Sequence, residues 1–455
     1  MDASTTPLQV VAALAALAML ACDDRAAEGL TGASGADDGG AGDAGVDGAR
    51  HGAHFAVIST NYTGATAISL LDLDGDVLDD VWVSSATENP ALRTPLAEDV
   101  VAQTVSGSRR YLTVLERGLG VVTRFDLDAG AVLGQVRADS AGGEAGGAFA
   151  SNPQDVAFID GGSAWISRWM NNPDPDAPTQ ELGNDLVEFD PATMARLAGR
   201  IDLSSIDVST QVPQYDAEMN VVGMSEDTAF ARPTGLVAVG NHLVVGLGVI
   251  TEEFSYGPGA MAVVDPRSGD ITAHVPLSPL RNCGQVTPIP GAPERVLVAC
   301  IGNWAGLGPE SGLAIVEVDA DGSARVVMRY DLSDHGGAVV ATQNVISLGG
   351  TLALGTSGGA IDAQSGEVSA PDAAYLIDLA DGTQRSVLQS TGAFSLGVAA
   401  YDAAAGIVLL PDAGSLDAPR LGIHRLHLHD AELTPDDFIT VADDTGLAAR
   451  QVHRL

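Results

Sequence analysis

The chain has 455 residues, with 22 basic against 60 acidic residues and a net charge of −38. That balance excludes nucleic acid as a partner, because phosphate backbones are held by basic patches, and it repels anionic membrane surfaces. All 22 basic residues are arginine, so Schiff-base lysine chemistry, Walker-type phosphate loops and the kinase lysine are excluded as well.

Residues 10–22 read VVAALAALAMLAC. This run is too short to span a bilayer but suits the apolar core of an export signal, although the leading MDASTTPLQ carries no basic residue. It ends in Met19-Leu20-Ala21-Cys22, which resembles the bacterial lipobox. The resemblance implies cleavage after residue 21 and a lipid on Cys22. The Gly/Ala/Asp-rich stretch that follows has no aromatic residue and almost nothing to bury, so it reads as a flexible tether. The expected layout is a signal peptide over 1–21, a tether over 22–52 and a folded domain over 53–455. The expected location is the cell envelope, lipid-anchored at the outer membrane or cell surface, with the lipid as the only membrane contact.

From residue 53 onward one motif recurs: an apolar strand, an aspartate, and a tight turn. It appears as ISLLDLDG (68–75), VTRFDLDAG (122–130), LVEFDPATM (186–194), MAVVDPRSG (261–269), IVEVDADG (315–322) and YLIDLADG (375–382), with a degenerate copy at RLHLHDAEL (425–433). Hairpins such as DVAFIDGGSAWISRW (155–169) and GLVAVGNHLVVGLG (235–248) precede the motif, and a further strand follows it. Four antiparallel strands per unit, repeated about seven times, define an all-β propeller. The first unit lacks its innermost strand, and GLAARQVHRL (446–455) is expected to supply it and close the ring. The pattern resembles the bacterial seven-bladed propellers of the YVTN and quinoprotein-dehydrogenase-like superfamily. That resemblance implies a fold far more than an activity.

The first copy, LLDLDGDVLDDVWV (70–83), is also close to the D-x-D-x-D-G loops that hold calcium. A calcium site would use Asp72, Asp74, Asp76 and Asp80. A plain turn is the favoured reading, because Asp72 aligns with the turn aspartate of the other copies and Val77 stands where such loops need a glycine. His427 and His429 point the same way along a strand, with Asp430 near, and form a second metal candidate without an identifiable third ligand. No other cofactor is expected. Cys283 and Cys300 are equidistant from the turn PGAP (290–293) and are expected to form a cross-strand disulfide.

In a propeller, the loops leaving each second strand share one face with the connections between blades. The residues that fall there are Tyr62, Glu116, Arg117, Arg168, Trp169, Glu252, Glu253 with Tyr256, Asn303, Trp304 and Asp412. Aromatic and charged side chains gathered on one rim suit a small-molecule or glycan site. The long insert SSIDVSTQVPQYDAEMNVVGMSEDTAFAR (204–232) is expected to cover the same face. GTSGGA (355–360) resembles the segment around a serine nucleophile, but it ends a propeller strand with no matching histidine motif upstream and reads as a turn; H-E-x-x-H and haem-attachment motifs are absent. The functional expectation is therefore a monomeric binding or scaffold module with a protein or glycan ligand. The alternative is a propeller enzyme, such as a lactonase, lyase or quinoprotein-like oxidoreductase.

Overall fold

A computed structural model describes residues 52–61, 64–96, 99–105, 111–139, 149–159, 162–216, 221–302, 310–331, 342–361, 367–415 and 418–455. The leader with Cys22, and most of the tether, lie outside the described residues. The protein is a β-propeller. Its described strands form seven antiparallel sheets of four or five strands and one two-stranded ribbon.

The recurring aspartates show why the repeat folds as it does. Each stands at or just after the end of the third strand of its sheet. Asp126 Oδ1 accepts the Ala129 N–H at 2.9 Å, Asp190 Oδ1 that of Ala192 at 2.8 Å, Asp265 Oδ1 that of Arg267 at 2.8 Å, and Asp378 Oδ1 that of Ala380 at 2.9 Å. A carboxylate that caps the next backbone amides turns the chain back into the fourth strand without a regular turn dipeptide.

The innermost strands touch in sequence around a circle. Ala449–Arg454 packs on Val100–Val105, which packs on Pro153–Phe158; the contacts continue through Val221–Val239, Gln285–Ile289 and Val345–Gly349 to Ala400–Asp402, which returns to Ala449–Arg454. The C-terminal strand is the inner strand of the first sheet, pairing Phe55 with Arg454 and Val57 with Val452. Each gap between neighbouring sheets holds its own apolar slab. Ile58, Leu112 and Phe125 fill the gap between the first and second sheets, and Val57, Leu409 and Val452 fill the gap between the seventh and first. No sheet buries both faces alone, so the slabs depend on ring closure.

The fourth sheet departs from the four-strand expectation. The insert is not a loop. Val208–Tyr215 pairs with the first half of Val221–Val239, from Val208 opposite Ala229 to Tyr215 opposite Val221. The second half of that same long strand forms the inner strand of the sheet and pairs with His242–Ile250. The alternating STQV and EDTAF segments extend the strand beyond the sheet as a two-stranded ribbon.

Candidate functional site

Tyr62, Asn303 and Trp304 lie outside the described residues. Several other rim candidates are used by the fold itself. Arg168 is fully buried and makes a two-pronged ion pair with Asp185, at 2.7 Å on each oxygen. Asp185 stands opposite Arg168 across the strand pair and also receives Arg200. Arg168 is thus a buried strut rather than an open rim cation, because its carboxylate comes from the adjacent strand. Asp412 is likewise buried, and accepts hydrogen bonds from Ser390 Oγ at 2.6 Å and Gly414 N at 2.9 Å, with His424 Nε2 at 3.0 Å and Arg420 at 3.2 Å. Burial opposes ionisation of Asp412, yet the bonds from His424, Ser390 and Gly414 hold its carboxyl below the ordinary value. Glu116 is buried at its strand end, and Arg117 pairs with Asp99 and reaches Gln154 Oε1 at 3.1 Å.

The metal candidates do not converge. Asp72 Oδ1 accepts the Asp76 N–H at 2.9 Å, and Gly75 takes a φ of 86°, so the start of LLDLDGDVLDD forms the repeat's turn. Asp80 points away and accepts the Ala442 N–H at 2.6 Å. His427 faces Asp436 at 3.2 Å, whereas His429 faces Asp430 at 3.0 Å. Among the described residues, no group of three or more histidine, cysteine or carboxylate side chains is placed to hold a metal.

A disulfide joins Cys283 and Cys300. Cys300 ends its strand, but Cys283 lies before Gln285–Ile289 and bridges to Leu247 of the fourth sheet. A register shift between Pro288 and Ile289 breaks the symmetric pairing about PGAP. The bond therefore pins the crossing from the fourth sheet to the fifth.

The remaining rim candidates lead to a cluster beside that crossing. Trp169, at the second-strand exit of the third sheet, stacks on Phe254 with ring centroids 6.2 Å apart. On its other contact, the Arg232 guanidinium lies 4.2 Å from the Trp169 ring and 5.7 Å from Phe230. Arg232 is only 3% exposed. Among the described residues, its one side-chain hydrogen bond goes from Nη1 to the Met170 thioether at 3.5 Å, and its Nε–H has no acceptor. Burial lowers this guanidinium to about 10, opposed only in part by the charges of Glu252 and Asp207. Glu252 and Glu253 are exposed in the turn above. Burial pushes the Tyr256 phenol up to about 12.

Arg232 stands directly opposite Gly248, so their side-chain positions share one face of the sheet. A methyl group on Gly248 would meet Asn282 Oδ1 at 3.3 Å, Thr234 Oγ1 at 3.6 Å and Trp169 Nε1 at 3.8 Å. None of these three half-buried side-chain groups is hydrogen-bonded to protein among the described residues. Asn282 holds a φ of 52°, a left-handed conformation that asparagine tolerates. The missing side chain of Gly248 thus leaves a small polar cradle, with room for no more than a methyl group, beside a buried cation where the third, fourth and fifth sheets meet.

Sequence reading found Trp169, Glu252, Glu253 and Tyr256 around this cluster but missed Arg232, Thr234, Asn282 and Phe254. Arg232 was hidden at the end of an insert read as a loop, and Thr234 lies just beyond it. The strand alternation of that insert was the available signal.

No known protein family matches the chain, and none of the curated proteins is similar to it in sequence. Solved structures resemble it in fold. A hypothetical selenium-binding protein from Sulfolobus tokodaii aligns over 88% of this chain and 93% of its own, with a TM-score of 0.53 and 11% identity. A putative 6-phosphogluconolactonase from Bacteroides uniformis aligns over 89% of this chain and all of its own, with a TM-score of 0.51 and 12% identity. The chain spans 64% of the dihydro-heme d1 dehydrogenase NirN, at a TM-score of 0.44, 13% identity and 86% coverage of this chain. At such identities the likeness concerns the propeller fold alone.

Proposed function

We propose that this protein is an exported, lipid-anchored propeller that binds a small ligand at the cell envelope, on the face that carries Trp169 and Arg232. The observation that carries this reading is the buried Arg232 guanidinium, which lacks a carboxylate partner among the described residues and whose Nε–H has no acceptor there. An unpaired buried charge is destabilising, and such groups cluster at functional sites. The cradle offers an indole N–H, a hydroxyl, an amide and a guanidinium. These groups hold and orient a ligand, and none is a customary general base, which favours binding over the lactonase, lyase or oxidoreductase alternative. The leader ending in Cys22 and the tether after it support placement on a membrane through lipid.

Two experiments test the reading. Fractionation of cells carrying the native chain or Cys22→Ala should place the first with membranes and release the second; membrane association unchanged by the substitution would contradict the anchor. A thermal-shift screen against protein, glycan, sugar and organic-acid panels should find a ligand that raises the melting temperature. A ligand turned over rather than bound would move the assignment to an enzyme.

A further inference from the structure

We infer that the Arg232 cradle recognises the carboxylate of a small, singly charged organic acid. This inference rests on the binding reading above and deepens it by naming the ligand class.

The geometry of the guanidinium points to a planar anion. The guanidinium carbon lies 4.2 Å from the Trp169 ring and 5.7 Å from Phe230, so aromatic rings, which accept no strong hydrogen bond, adjoin the cation and its N–H groups stay available for bonding. Of those donors, the Nε–H has no acceptor among the described residues, and Nη1 has only the weak thioether of Met170. An in-plane fork of N–H groups matches the two oxygens of a carboxylate.

Charge argues for a single negative group. Among the described residues, Arg232 is the one cation stacked on Trp169, and the acidic side chains that act on it through space, Asp207 and Glu252, form no ion pair with it. Asp207 Oδ1 is occupied by the Ala231 N–H at 2.8 Å. A phosphate dianion would meet one cation inside a molecule of net charge −38, and so would lack the several donors and cations that such groups require. Asn282, Thr234 and the Trp169 N–H then remain to bond hydroxyl or carbonyl groups on the rest of the ligand.

Phe254 flanks the cluster through Trp169. It is 38% exposed, stacks on Trp169 and holds a φ of 60°, which is unusual for a bulky residue. Because Arg232 is almost wholly enclosed, a ligand reaches its N–H groups only when the side chains around it shift.

Isothermal titration calorimetry on the full chain tests the inference, with glycolate, D-glucuronate and benzoate against inorganic phosphate and neutral glucose. At least one monocarboxylate should bind. Arg232→Met should weaken it by at least about tenfold, the loss expected when a charge-assisted hydrogen bond is removed. Asn282→Asp keeps a residue that tolerates the left-handed turn but sets a like charge in the cradle, and should also weaken binding. Gly248→Val should fill the cradle and abolish it. If Arg232→Met failed to fold, the other two variants would carry the test. Phosphate binding in preference to every carboxylate would overturn the ligand class. Glucose binding that Arg232→Met leaves unchanged would overturn the inference while the binding reading stood. Absence of binding by all five compounds would also overturn the inference, leaving the thermal-shift screen to decide the broader reading.

Discussion

Arg232→Met should make the protein more stable while removing its ligand. A guanidinium held at about 10 rather than 12.5 carries a penalty of about 3 kcal/mol on its charged form. Stacking on Trp169 and Phe230 returns about 1–2 kcal/mol of that as cation–π attraction. Methionine keeps an unbranched side chain against Trp169 without a charge to desolvate, so the net gain should be about 1–2 kcal/mol. Equilibrium urea denaturation, followed by far-ultraviolet circular dichroism, would register this as a higher midpoint at unchanged slope. A loss of more than about 1 kcal/mol would refute the reasoning, because Arg232 would then be an anchor of the fold like Arg168.

Other perturbations separate structural from functional groups. Asp185→Ala strands Arg168 and Arg200 without their carboxylate and should cost about 3–5 kcal/mol in the same assay; a cost under about 1 kcal/mol would contradict the buried-strut reading. Burial pushes the Asp372 carboxyl up to about 6, against N–H bonds from Phe394, Ser395 and Leu396. Its folded value lies above the ordinary 3.8, so its contribution is complete below about pH 4 and is lost as pH rises through about 6. The stability difference between the native protein and Asp372→Asn should therefore shift by about 3 kcal/mol across that window, and a flat difference would contradict the assignment. Reducing Cys283–Cys300, which encloses a short loop, should lower stability by about 3 kcal/mol and weaken ligand binding, since the bond holds Asn282 in place. Deleting residues 449–455 should lower hydrogen-exchange protection in all sheets together; protection lost only in the first sheet would show that the ring does not depend on its closing strand.

The sequence showed the architecture clearly because the physics that builds it is local and repeated. Asp126, Asp190, Asp265 and Asp378 cap their turns by bonds to amides two or three residues on, so the repeat could be read from neighbouring residues alone. The C-terminal strand was legible from an imbalance: the first repeat lacked a strand, and the last segment had the pattern of one. The site was far less legible. Whether a strand-end arginine is a strut or a ligand depends on what the adjacent strand and sheet supply. Arg168 faces Asp185 across its own sheet, whereas Arg232 faces Trp169 from another. In the sequence, Arg168 read as a residue at a strand exit and Arg232 as the end of a loop. The cradle at Gly248 is defined by an absent side chain and by residues from three sheets, and no sequence spacing records that convergence.

Side-chain nuclear magnetic resonance of ¹⁵N-arginine-labelled protein addresses the Arg232 cradle most directly. The Arg232 Nε–H signal is identified by its absence in Arg232→Met. Titration with a monocarboxylate should move that signal downfield, as a donor without an acceptor gains one. If it stayed in place while the carboxylate bound, or if other arginine signals moved instead, the ligand would lie elsewhere and Arg232 would not be its anchor.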